Sequence, residues 1–208
     1  MINHNSGFVK TRTKDPEEND KEVIEIDMGR VSQIDPQHAP KEVQEAIRQH
    51  LAKGHQLTNE KKTLLHSVAA FRAVEEASYD LDDELQQLIG KLDGDLFEYA
   101  ISVQNECLVC TTYFGKLLRN EHHIDPNAFR LTRREELLMQ YARSLARDPK
   151  AITDKAFQEL KEEFLQNGDG DGNPVDEEKA ERIMVVLTAM GAMMIANNTV
   201  NDALQVDV

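Results

Sequence analysis

From Pro40 to the end of the chain, apolar residues recur every three or four positions, which is the spacing of one face of an α-helix. Pro40 suits a first helical position and Gly54 suits the residue just beyond a last turn, so the two frame a helix over Lys41–Lys53. Thr132 and Glu135 form a capping-box pair at the start of another helix. No stretch after residue 30 alternates as a strand does. The pattern predicts an all-α bundle.

The other predicted helices differ in how their ends are marked. One begins near Asn59 and runs to Phe71 with its apolar residues on one side. A short helix over residues 82–89 ends at Gly90, and Asp95 opens a helix that is apolar almost all round, as a buried helix is. The remaining helices are predicted to begin near residues 133, 154 and 177.

The first 38 residues differ in composition from the rest of the chain. They are polar and dense in charge, and only Val23–Ile26 alternates as a short strand would. Arms of this kind are often held by a neighbouring subunit in oligomers. We therefore predict an N-terminal arm or tail over residues 1–38, exchanged between subunits, and one helical domain over residues 39–208.

The net charge of the chain argues against two classes of binding partner, nucleic acids and anionic membranes. It carries 24 Lys and Arg against 38 Asp and Glu, a formal net charge of −14, which repels nucleic-acid phosphates and anionic membranes. No apolar run approaches the roughly 20 residues of a membrane helix. The first residues show no secretory signal. We expect a cytoplasmic protein that binds neither nucleic acid nor membrane.

The most specific chemistry lies in the two cysteines of the chain, Cys107 and Cys110. In the cytoplasm a close cysteine pair is more often catalytic or metal-binding than a structural disulfide. If Asn105 caps a new helix, Cys107 lies in its first turn, where the backbone N–H groups and the helix dipole favour thiolate. Oxidation of one thiol to a sulfenic acid then allows the other to close a disulfide.

Two alternatives to a redox pair stay open. Reduced cysteine is among the most buried residue types, so Cys107 and Cys110 also fit as two inert core residues. Zinc is the weaker alternative, because His122 and His123 are adjacent and do not have the spacing of zinc-finger histidines.

The segment Asn105–Cys110 and the tail over residues 198–204 resemble the carboxymuconolactone decarboxylase and alkylhydroperoxidase D-like family. The likeness runs from about residue 40 to the C-terminus. It implies an all-helical alkylhydroperoxidase D-like bundle that assembles into a homo-oligomer (a dimer, trimer or hexamer). It also implies a peroxidase or disulfide-reductase activity that uses the cysteine pair.

The same resemblance implies a set of site residues. Cys107 and Cys110 take the positions of the family's two cysteines, and Asp95 takes that of an acidic residue 12 positions before the first of them. Phe114 stands where the family has a histidine, and phenylalanine cannot carry a proton. Candidates for the missing proton carrier, besides the adjacent histidines 122 and 123, are Glu98, Glu106, Tyr113 and His66.

A glycine-rich acidic loop resembles a calcium loop between two helices. Its candidate ligands have the spacing of an EF-hand and are Asn167, Asp169, Asp171, Asn173 and Glu178. However, a proline occupies the position where an apolar strand residue is expected, and the chain contains no second loop to pair with this one. We predict a solvated connector and no metal.

The sequence therefore favours a thiol-dependent peroxidase of the peroxiredoxin type, or a disulfide reductase. The substrate would be a peroxide or a small disulfide, and an external dithiol such as a thioredoxin-like or lipoyl carrier would restore the thiols without any bound cofactor. An apolar substrate would suit a pocket lined by Phe97, Ile101, Phe114 and Leu117. The alternatives are a redox sensor or structural protein that lost the proton relay, and a lactone decarboxylase-type enzyme.

Overall fold

A computed structural model describes residues 29–126 and 128–208, and within these ranges it contains helices and no strand. The all-α prediction is confirmed. The helices are α1 (Lys41–Ala52), α2 (Asn59–Leu64), α3 (Val68–Phe71), a π-helical segment (Arg72–Glu76), α4 (Ala77–Ile89), α5 (Lys91–Gln104), α6 (Leu108–Asn120), α7 (Arg133–Arg147), a 3₁₀ turn (Pro149–Ala151), α8 (Asp154–Asn167) and α9 (Glu177–Leu204).

Helix α5 lies at the centre of the bundle and packs against α4, α6, α7 and α9. The main core forms around it, and a smaller core joins α1 to the α2–α3 region. Gly191 lets α9 approach closely, because a Cβ there would lie 2.8 Å from Leu145 Cδ1 and 3.3 Å from Phe97 Cζ. Such a contact is too short for a side chain to fit without displacing its neighbours. Helix α9 is therefore packed tightly against α5 and α7.

Several predicted helix boundaries are wrong, and the helix predicted over residues 82–89 begins earlier, at Ala77. The helix expected from Asn59 to Phe71 ends at Leu64, and Ser67 caps a new one by accepting a hydrogen bond from the backbone N–H of Ala70. Helix α5 begins at Lys91, directly after Gly90, whose φ of 90° favours glycine. Asp95 thus lies inside α5 and does not cap it. By contrast, the capping box of Thr132 and Glu135 is confirmed.

The end of the predicted arm belongs to the folded body. The backbone N–H of Arg30 donates to the Leu204 carbonyl at 2.9 Å, and that of Ile34 donates to the Lys62 carbonyl at 3.1 Å. Gly29 N–H donates to the Asp207 carboxylate at 3.1 Å. Residues 29–38 are therefore fastened to α2 and to the end of α9. The strand predicted over residues 23–26 lies outside the described residues.

Helix α9 corrects the expectation that no stretch is long and apolar enough to span a membrane. By length and composition it passes that test, and 44% of its most apolar 18-residue window is buried in the protein. It packs against α4, α5, α7 and α8. A helix at the heart of a bundle needs the same apolar composition.

Candidate functional site around Cys107 and Cys110

The two cysteines lie at the junction of α5 and α6. Asn105 ends α5 instead of capping α6, contrary to the sequence prediction, and Glu106 turns the chain with a φ of 60°. Cys107 then occupies the cap position of α6, and Cys110 lies in its first turn. The turn brings both side chains inward, with exposed fractions of 0% and 6%.

The two sulfurs are 3.2 Å apart and are not joined in a disulfide. The Cys110 thiol donates a hydrogen bond that lowers the pKa of Cys107, and the Cys110 backbone N–H acts in the same direction, although burial opposes both. The same interaction raises the pKa of Cys110, and burial raises it further. Within the pair, the pKa of Cys107 is therefore lowered and that of Cys110 is raised.

Asn201, which the sequence did not indicate, contacts this pair, and it also contacts Glu60. The side-chain amide of Asn201, in α9, donates from Nδ2 to Cys110 Sγ at 3.3 Å. The same nitrogen lies 3.0 Å from Oε1 of Glu60, in α2. Residues 60 and 201 are 141 positions apart, and no local motif marks either of them. Their only sequence signal was that Asn201 falls in the tail that carried the family resemblance.

Glu60 is a buried acid in an unusual electrostatic setting. Burial, and then repulsion from Glu75, raise its pKa to about 8, while Asn201 and Lys61 act in the opposite direction. Glu75 lies in the π-helical segment, and its carboxylate is 3.6 Å from the Lys61 ammonium. Glu60 therefore carries a proton at neutral pH next to the cysteine pair.

Asp202, also at the end of α9, acts on Cys107. Its carboxylate acts to raise the pKa of Cys107, although less strongly than the Cys110 thiol lowers it. Asp202 is exposed, whereas the neighbouring Asn201 is only 1% exposed. The end of α9 thus supplies one buried amide and one exposed acid to the site.

Asp95 is not brought together with the cysteines. It precedes the end of α5 by nine residues, about 14 Å along the helix axis, and its Oδ2 lies 2.6 Å from Nε2 of His122, just beyond α6. Burial raises the pKa of Asp95, and the bond to His122 acts to lower it. Asp95, to which the resemblance assigned the acidic position, is therefore paired with His122 at the end of the α5–α6 hairpin that lies away from the cysteines.

Of the other sequence candidates, Glu98 is buried and Tyr113 is exposed. Glu98 is buried in α5, and burial together with Asp82 and Asp95 raises its pKa well above the ordinary value. The Tyr113 side chain is 54% exposed, and burial of its hydroxyl followed by the charge of Glu98 raises its pKa.

Two further candidates have structural surroundings. Glu106 is exposed in the turn before Cys107. His66 is also exposed, and its Nε2 lies 2.7 Å from the Ser32 carbonyl, so it helps to hold the segment 29–38. Phe114 is 8% exposed in the main core.

The loop that resembles a calcium site is held by internal cations. Asp169 Oδ2 accepts a 2.7 Å hydrogen bond from Lys179 Nζ, and its Oδ1 accepts from the backbone of Asp171 and Asn173. Arg134 donates to the carbonyls of residues 167, 168 and 169. Among the described residues no group of His, Cys, Asp and Glu has the arrangement of a metal site.

Comparison of the chain with protein-family models, with curated proteins and with solved structures finds no match. The geometry around Cys107 and Cys110 and the residues that carry the sequence resemblance are therefore the grounds on which a function can be proposed.

Glu60→Gln is expected to flatten the pH dependence of stability. In the unfolded chain Glu60 ionises near its ordinary pKa of 4.5, whereas burial holds its pKa at about 8 in the folded protein. Between these pH values the folded state binds more protons, so the free energy of unfolding falls as pH rises, by up to about 1.4 kcal/mol per pH unit. The glutamine in the variant keeps an oxygen for Asn201 and cannot ionise.

Urea unfolding at several pH values between 4.5 and 8 measures this slope. Glu162→Gln, which makes the same change at an exposed position in α8, is the matched control. Equal slopes in wild type, Glu60→Gln and the control would contradict the prediction.

Proposed function

We propose that the protein is a thiol-dependent peroxidase whose dithiol, Cys107 and Cys110, cycles to a disulfide. The observation that carries this proposal is the pair of sulfurs 3.2 Å apart, in which Cys110 donates to Cys107 and lowers its pKa. At this separation one sulfur can attack the other with only a small movement, as a nucleophile and its resolving thiol require. The resemblance to the alkylhydroperoxidase D-like family supports the same reaction.

The reaction has two steps. In the first, the Cys107 thiolate attacks one oxygen of a hydroperoxide, the O–O bond breaks, and an alcohol leaves after taking a proton. Cys107 is then a sulfenic acid. In the second, the Cys110 sulfur attacks the Cys107 sulfur, the S–O bond breaks, and the Cys110 proton leaves with the hydroxyl as water. The two thiols have lost two electrons and the peroxide has gained them.

Burial of the sulfurs favours a small oxidant over a protein disulfide. Cys107 is 0% exposed, so a folded partner cannot present a disulfide to it without a rearrangement. An external dithiol must restore the thiols. The exposed apolar side chains of Leu108 and Tyr113, on the cysteine helix, suit the slender apolar arm of a lipoyl carrier. A homo-oligomer remains the expected assembly.

A thiol count before and after one equivalent of hydroperoxide tests the proposed function. We expect both thiols to disappear together, with loss of two hydrogens by mass and a Cys107–Cys110 disulfide in the digest. With a dithiol in excess, peroxide consumption is expected to continue over many turnovers. Oxidation once without turnover would favour a redox sensor, and thiols that react only in denaturant would show an inert core pair.

A further inference from the structure

Reduction of a hydroperoxide requires a proton donor as well as a thiolate. When the O–O bond breaks, the leaving oxygen carries negative charge, and a general acid that protonates it accelerates the step by about 10²–10⁴-fold. Phe114 stands where the sequence resemblance places a histidine, and it is packed into the main core. The cysteine pair therefore needs its proton from another residue.

Glu60 is the acid that the fold places beside the pair. One nitrogen, Nδ2 of Asn201, contacts both the Glu60 carboxyl at 3.0 Å and the Cys110 sulfur at 3.3 Å. The Glu60 carboxyl group and the Cys110 thiol therefore contact the same amide nitrogen. The Glu60 residue is 9% exposed, so bulk water does not compete freely for its proton. The charge of Cys107 also raises the pKa of Glu60, so the acid and the nucleophile interact electrostatically.

Polar atoms without partners line the same face of α9. Asn198 precedes Asn201 by about one turn, is 1% exposed, and neither Nδ2 nor Oδ1 has a hydrogen-bond partner among the described residues. Oδ1 of Asn201 is also buried and has no hydrogen-bond partner among the described residues. Leaving a buried polar atom unpaired costs about 1–3 kcal/mol, so such atoms are expected to bind an ordered water or a polar ligand. The two oxygens of a hydroperoxide supply both donors and acceptors.

We propose that Glu60 is the general acid of this site and that the substrate is a small hydroperoxide whose leaving oxygen takes the Glu60 proton. This inference depends on the proposed function. In the first step the Cys107 thiolate, the hydroperoxide and protonated Glu60 give a Cys107 sulfenic acid, an alcohol and the Glu60 carboxylate. Atoms and charge balance, because one negative charge moves from sulfur to the carboxylate. Glu60 regains its proton from solvent after the disulfide forms.

The negative charge of the Cys107 thiolate favours the protonated form of Glu60. Cys107 and Glu60 disfavour simultaneous ionisation, so formation of the thiolate holds the proton on the carboxyl. Other groups also affect Glu60 or are affected by it: Lys61 in α2, Glu75 in the π-helical segment, Tyr79 in α4 and Cys110 in α6. The rate of peroxide reduction should therefore rise as Cys107 ionises and fall as Glu60 loses its proton.

Two reactions of Cys107 separate an acid role from a structural one. Hydrogen peroxide needs a proton on its leaving oxygen, whereas alkylation by iodoacetamide expels iodide and needs none. In Glu60→Gln we expect disulfide formation by hydrogen peroxide to slow about 100-fold while alkylation changes by less than about threefold. The falling limb of the wild-type pH–rate profile, set by a pKa of about 8, should vanish in the variant.

Asp93→Asn is the matched control, since Asp93 is another buried acid, with a pKa raised to about 6 by burial, and lies 3.9 Å from Arg134. It should leave both rates unchanged. An equal loss of peroxide reaction and alkylation in Glu60→Gln would overturn the inference, as would no loss in either. If the variant does not fold, a wild-type profile without a falling limb overturns it. Failure of the wild-type protein to form any disulfide would overturn the proposed function itself.

Discussion

Cys107→Ser is expected to abolish peroxide-driven disulfide formation and to leave a thiol that hardly reacts. The remaining Cys110 keeps its proton, because burial holds its pKa above the ordinary value even without Cys107. Cys110→Ser is expected to behave differently. The serine hydroxyl in that variant can still donate a hydrogen bond that lowers the pKa of Cys107, so Cys107 is expected to react once with peroxide and to stop at the sulfenic acid.

Alkylation by iodoacetamide at neutral pH compares the two thiols directly. We expect Cys110 in Cys107→Ser to react about 100-fold more slowly than Cys107 in Cys110→Ser, since the rate follows the fraction of thiolate. Mass spectrometry after one equivalent of peroxide should add one oxygen to Cys110→Ser and none to Cys107→Ser.

The reverse order of reactivity would make Cys110 the nucleophile. It would also contradict the pKa pattern around the pair. Circular dichroism of both variants serves as the control for folding, because serine is close in size to cysteine and both side chains are buried.

Phe97→Ala is expected to cost about 3–5 kcal/mol of stability. The Phe97 ring is fully buried and faces Gly191 of α9. Because Gly191 has no side chain, it cannot fill the cavity that removal of the ring would leave. The sequence suggested that Phe97, Ile101, Phe114 and Leu117 line a substrate pocket. In the structure Phe97, Ile101 and Phe114 are core residues and Leu117 packs against them, so they fill space instead of enclosing it.

Equilibrium unfolding in urea measures this loss at fixed pH. The matched control is Val185→Ala in α9, where the side chain is 67% exposed and the expected change is within about 0.5 kcal/mol. A loss below about 1 kcal/mol in Phe97→Ala would mean that the core collapses around the missing ring. The Phe97 variant should also keep the ratio of peroxide reaction to alkylation, since the ring belongs to the core and not to the set of groups that act on the sulfurs.

The helices could be predicted from the sequence because their signals are local. The capping box of Thr132 and Glu135, the frame of Pro40 and Gly54, and the period of the apolar residues each act within one or two turns. Predictions failed where a boundary depended on packing. Ser67 interrupts an otherwise continuous apolar face, and Lys91 starts α5 because Gly90 reverses the chain.

By itself, the sequence determined the all-α class, most helix positions and the cysteine pair, since spacing within one turn already brings two thiols together. Only the tertiary structure decided what surrounds that pair. It placed Asp95 beside His122, about 14 Å of helix from the end of α5. It brought Asn201 into contact with the Cys110 sulfur and Glu60 into contact with Asn201, from distant parts of the chain. Contacts between residues 141 positions apart arise from the packing of whole helices, and no local pattern encodes them.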